Sequence, residues 1–154
     1  MLKALFKLNE FLCENDIEYM VTGTMALHIL GMPSSYTPNS IDIKVFSLTD
    51  EQIKNIKMLS DLTGCNYNES SESSRYSFRI CSASGDILVN MFYNEKNEPS
   101  FLEESIQVWF SDSQNDKEHG FYVQKACYAL SDKAKLDGPK DARYFLNLIN
   151  NLTV

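Results

Sequence analysis

The chain is short of basic residues: 14 Lys and Arg stand against 21 Asp and Glu, a formal charge of −7, and no Lys/Arg run forms a stripe. A polyanion finds no electrostatic footprint here, so RNA or DNA as a main partner is disfavoured. Cysteine is sparse too. Cys13, Cys65, Cys81 and Cys127 stand far apart, with no C-x-x-C and no histidine at ligand spacing, which argues against zinc and against a disulfide framework in a chain of 154 residues. They are expected as small buried apolar side chains in a reducing compartment. No hydrophobic run approaches the roughly 20 residues of a membrane span. The opening "MLKALFKLNEFLCEND" intersperses charges with apolar residues, unlike a signal peptide. A soluble, intracellular protein without membrane contact is the expectation.

What is present organises as one α+β domain over residues 1–154, with 44% apolar content and neither an internal repeat nor a linker. Leu2, Leu5, Phe6, Leu8, Phe11 and Leu12 recur at helical spacing and predict a helix over 2–14. A strand over 17–22 follows, closed by Gly23, and then a short buried helix over 23–31. "SIDIKVF" predicts a strand over 40–46. The stretch 49–63 reads as a helix, because Thr49 and Gln52 have capping-box spacing and Gly64 follows; Ile53, Ile56, Met58, Leu59 and Leu62 form its apolar face. Strands over 76–81 and 86–93 flank a short link suited to a hairpin. "IQVWF" and "FYVQ" are further strands about the polar stretch "SDSQNDKEHG", and two helices broken at Gly138-Pro139 end the chain.

The strand over 40–46 raises the functional question. Its alternation puts Ser40, Asp42 and Lys44 on one face and Ile41, Ile43 and Val45 on the other, so one carboxylate sits between a hydroxyl and an amine. Elsewhere the ordinary reading of single residues prevails: His28 as a core or interface histidine, His119 as a surface residue in a polar loop, Trp109 and Phe110 as core packing.

The order of the pieces resembles the nucleotidyltransferase superfamily, the fold of DNA polymerase beta. It is most similar to the small bacterial nucleotidyltransferase-like proteins of toxin-antitoxin and abortive-infection systems. The matching stretches are "VTGTMALHILG" at 21–31, "SIDIKV" at 40–45, "GDILVNMF" at 85–92 and "LSDKAKLDGPKDARYFLNL" at 130–148. The resemblance implies a twisted mixed sheet flanked by helices, with the C-terminal helices closing the domain. It also implies two Mg²⁺ ions about 3.5–4 Å apart, held by three carboxylates, that bind a nucleoside triphosphate and activate an acceptor hydroxyl.

Carried over by position, Gly23 and Thr24 fall on the phosphate-binding turn, Lys133 on a C-terminal helix as a nucleotide-binding residue, and Asp42 on the second carboxylate, a metal ligand. Lys140 and Asp141 match the Lys-Asp pair of the last helix. Ser40, however, stands where the first Asp belongs and Asn90 where the third does. Tyr36 and Pro38 replace the Arg and Thr often found ahead of the strand. Asp86 shares a face with Asn90 but lies four residues away, roughly 13 Å along a strand, too far to substitute. The resemblance therefore implies a vestigial site at Ser40, Asp42 and Asn90. The scaffold is then a binding or structural part of a larger assembly, with a protein partner or a second copy of itself, with nucleotide as a ligand that persists, in the cytoplasm or in a phage or mobile-element assembly. The alternative is an active enzyme using Mg²⁺ and a nucleoside triphosphate to modify a protein or RNA hydroxyl.

Overall fold

The computed structural model describes residues 2–31, 38–82 and 85–137, with side chains as far as residue 132. In chain order the elements are α1 (Leu2–Glu14), β1 (Met20–Thr22), α2 (Gly23–Ile29), β2 (Ser40–Val45), α3 (Asp50–Leu62), β3 (Tyr67–Glu69), β4 (Ser74–Ser82), β5 (Gly85–Tyr93), α4 (Asn97–Glu104), β6 (Ser105–Asp112), β7 (Lys117–Gln124) and α5 (Ala126–Asp137). The seven strands form one mixed sheet in the order β3-β4-β5-β2-β1-β7-β6. β2 runs parallel to β5 and β1 parallel to β7; the other neighbours are antiparallel. This is the expected α+β architecture.

Alternation divides the sheet into two unlike faces. Val21, Ile41, Ile43, Val45, Tyr76, Phe78, Val89, Met91, Phe121 and Val123 are buried and join the core cluster with Leu5, Leu8 and Leu12 of α1 and Ile56 of α3. Leucines at 5, 8 and 12 repeat every three to four residues and so share one helix face; burying each contributes about 1.5–3 kcal/mol. The capping box at α3 forms as its spacing implies: Gln52 N–H donates to Thr49 Oγ1 at 3.2 Å, and Thr49 N–H donates to Gln52 Oε1 at 2.7 Å. The apolar face of α3 is narrower than the sequence indicates, since Met58 and Leu62 are exposed and only Ile53, Ile56 and Leu59 reach the core.

Other expectations are corrected. β1 begins at Met20 rather than residue 17, and α4 and β3 were not foreseen; the strands expected at "IQVWF" and "FYVQ" are present as β6 and β7, longer than those stretches. Cys13, Cys81 and Cys127 are exposed and Cys65 half-buried, so the cysteines are not core residues. His28 is exposed on α2 rather than packed. His119 is buried rather than on the surface: its ring stacks on Phe6 with centroids 4.4 Å apart, and its Nδ1 lies 3.3 Å from Asn9 Nδ2. Trp109 lies on the outer face of β6, 63% exposed, over Gly120, which is its partner in register; an added Cβ at Gly120 would sit only 2.5 Å from the indole. Phe110 does pack inward, stacked on Phe121. The second C-terminal helix with Lys140 and Asp141, the break at Gly138-Pro139, and Tyr36 lie outside the described residues.

Candidate functional site

The second sheet face carries a row of four polar side chains at the same level, one each from β4, β5, β2 and β1. Register places Ser77 of β4 opposite Asn90 of β5, Asn90 opposite Asp42 of β2, and Asp42 opposite Thr22 of β1. Directly opposed residues point to the same side, so strand pairing alone brings these groups together. Ser77 Oγ donates to Asn90 Oδ1 at 2.7 Å, and Asn90 Nδ2 donates to Asp42 Oδ1 at 3.0 Å. Ser40 Oγ reaches the same Asp42 oxygen from one pleat away, at the long distance of 3.5 Å. Ser40, Asp42 and Asn90 therefore converge on one side of the sheet, with Asp42 half-buried and turned away from the core.

The turn after β1 closes this row. Gly23 has φ +65, the left-handed region that glycine enters without penalty. A Cβ there would stand 4.0 Å from Asp42 Oδ2, so the turn lies against the carboxylate. Gly23 N–H points to Gln124 Oε1 at 3.4 Å, and Gln124 Nε2 donates to Asp132 Oδ2 of α5 at 3.0 Å. Thr22 Oγ1 donates to the backbone oxygen of Asp42 at 3.2 Å. Gln124 is fully buried, so its amide bridges from β7 to the start of α2 and to α5 beneath the turn. Thr24 follows on α2, half-exposed. Lys133 lies on α5, beyond the described side chains, and Asp86 pairs with Cys81 two pleats from Asn90.

Ser77, Gln124 and Asp132 were missed in the sequence. Ser77 carried a signal, being the polar residue between two buried aromatics, Tyr76 and Phe78, and hence on the outer face of β4. Gln124 and Asp132 carried none, because their partners are set by tertiary packing.

The donors present do not fit a pair of Mg²⁺ ions. Hard cations of this kind take oxygen ligands, mostly carboxylates. Asn90 turns its NH₂ toward Asp42, while its oxygen accepts from Ser77. Asp42 supplies one carboxylate, and no cluster of three His, Cys, Asp or Glu residues suited to a metal occurs among the described residues.

An N-terminal helix, a strand closed by a glycine turn, a buried helix and a parallel β2–β5 pair bearing the site make up a nucleotidyltransferase-like fold, and solved structures are similar to the chain in fold. One, a candidate nucleotidyltransferase of Thermotoga maritima, aligns over 97% of this chain and 92% of its own, with a TM-score of 0.54 and 12% identity. Another, an antigenic nucleotidyltransferase-like protein of Paracoccidioides brasiliensis, aligns over 92% of this chain and 70% of its own, with a TM-score of 0.53 and 14% identity. No family model matches the chain, and no curated protein does.

Proposed function

We propose that the chain is a nucleotidyltransferase-fold module without transferase activity, serving as a binding component of a larger assembly with a protein partner. The observation that supports this most is the hydrogen bond from Asn90 Nδ2 to Asp42 Oδ1 at 3.0 Å. A carboxamide donor thus occupies one oxygen of the row's single carboxylate. Electrostatic stabilisation by paired metals and preorganised dipoles supplies most of the rate in phosphoryl chemistry, and a hydroxyl and an amide at two of three ligand positions forgo the charge that holds such ions.

A second reading, an active enzyme moving a nucleoside monophosphate onto a protein or RNA hydroxyl, draws on one feature: Gly23 keeps its left-handed turn against Asp42. Transfer from labelled nucleoside triphosphates, with Mg²⁺ or Mn²⁺ and a cellular extract as acceptor, separates the two. No incorporation above a heat-treated control is expected. Incorporation that disappears with Asp42→Ala would establish the enzyme instead. The proposed module would act in the cytoplasm or within a phage or mobile-element assembly.

A further inference from the structure

The two edges of the sheet are built differently. β3 is three residues long and ends at Glu69, which pairs with Lys57 of α3, so that edge offers a further strand little to extend. β6, at the other edge, is eight residues long. From Ser105 to Ser111 it has no charged residue and no proline, and its register with β7 is unbroken; it lacks the charge, the proline and the bulge that keep natural edge strands apart. Lys125 N–H donates to the Glu104 carbonyl at 2.6 Å, which makes that pair, and every second pair along the ladder, the hydrogen-bonded one. Ser105, Gln107, Trp109 and Ser111 therefore turn their backbone N–H and C=O groups outward. Among the described residues, no strand takes them up. The side chains leave this edge open: the Trp109 ring lies back over Gly120 of β7, and on the core face Ile106, Val108 and Phe110 are only part-covered where the sheet stops.

We propose that β6 pairs antiparallel with β6 of a second copy of the chain, centred on Val108, so that one sheet runs through both copies. Directly opposed residues share a face, and a pair related by a twofold axis meets this condition only when the axis passes through a residue. The choice of residue follows from the side chains. Centring on Gln107 would set Phe110 against Glu104, and centring on Trp109 would set Ile106 against Asp112. Centred on Val108, the core face opposes Val108 to its own copy and Ile106 to Phe110, apolar against apolar, while Gln107 meets Trp109 and Ser105 meets Ser111 on the other face. Those last pairs are the outward-turned ones and exchange both backbone hydrogen bonds. An interface of one strand a side lies at the small end of stable ones, under about 1,200 Å² in total, so the dimer is reversible rather than obligate. Glu104 and Asp112 of opposite copies meet at both ends, and screening these like charges strengthens the pair. The pairing uses none of the Asp42 row, so it holds whether or not transfer occurs.

Sedimentation velocity on the full chain, from low micromolar to several hundred micromolar, tests the proposal. We expect a monomer–dimer equilibrium that goes no further than the dimer and tightens several-fold between low and high salt. Gln107→Pro removes one outward N–H and should abolish dimerisation with little change in melting temperature, since proline is tolerated on an edge strand where the N–H faces solvent. Ile106→Lys, at a part-exposed position, should weaken the dimer about tenfold or more and serves if the proline variant fails to fold. Cross-linking reads the register. Under mild oxidation Val108→Cys should link to its own copy above the background set by the unmodified chain's cysteines, because opposed residues there stand about 4.5 Å apart at Cα. Ile106→Cys should not, being about 13 Å along the strand from its counterpart. Three results would overturn the proposal: a chain monomeric at every concentration; a folded Gln107→Pro or Ile106→Lys variant that dimerises as well as the unmodified chain; or a Val108→Cys cross-link no stronger than that of Ile106→Cys.

Discussion

Asn90 has both ends of its carboxamide committed, to Ser77 on one strand and Asp42 on another, so its shape and its lack of charge both matter. Asn90→Asp is nearly isosteric but removes the donor and sets a second carboxylate about one hydrogen-bond length from the first. A lost hydrogen bond to a charged group costs about 1.5–3 kcal/mol, and the like charge adds to it. We expect the melting temperature of Asn90→Asp to fall at neutral pH and to recover in part when millimolar Mn²⁺ or Ca²⁺ is added. A variant as stable as the unmodified chain without added cation would show that the amide is not required at this position. At the same scale the sequence was most informative where a residue's side is fixed by strand period: Asp42 was placed on the right face from alternation alone, and Asn90 by its match to the third carboxylate position that the resemblance implies. His119 shows the opposite. Set in a run of polar letters, it gives no sign of the Phe6 ring that covers it or of Asn9, 110 residues away, that it meets.

Helices announced themselves through short-range chemistry, which is why α1 and α3 were legible while α4 was not. The Thr49–Gln52 box is readable because its two bonds span three residues, and Thr49→Ala should cost about 1 kcal/mol in chemical denaturation, the usual loss for a capping side chain. α4 begins after Lys96 without a side-chain cap and buries only Phe101, against Phe46 and Tyr122. Strands β6 and β7 run further into the polar stretch than their apolar letters indicate, with Asp112 paired to Lys117 across the turn. The Asn115 side chain, donating to Asp112 Oδ2 at 2.8 Å, is the main reason that carboxyl is held below its ordinary value, with His119 a further contributor. A carboxyl with a lowered folded pKa stabilises the fold above its unfolded value of about 3.9 and loses that contribution as the pH falls through the folded value. Asn115→Ala should therefore move the Asp112 titration upward, readable by carbon-detected NMR, and should diminish this acid-dependent part of the hairpin's stability. An unchanged Asp112 titration in that variant would assign the shift to other groups.

For the molecule as a whole, the parallel β2–β5 pair and the turn at Gly23 bring Asp42, Asn90 and Ser40 together on one face of the sheet. The architecture could be read because the order of helix, glycine turn and alternating strand is a long-range pattern carried by many residues. The full polar row could not, since Ser77 and Thr22 join Asn90 and Asp42 only through strand register. On the proposed function, Asp42, Asn90 and Ser40 form a polar clasp that does not bind metal, at positions where the resemblance implies a carboxylate triad. The most direct measurement is Mn²⁺ binding by electron paramagnetic resonance, on the unmodified chain and on the Ser40→Asp/Asn90→Asp double variant. We expect no stoichiometric Mn²⁺ binding by the unmodified chain at millimolar concentrations and a newly gained site in the double variant. Stoichiometric binding by the unmodified chain that vanishes in Asp42→Ala would contradict the claim.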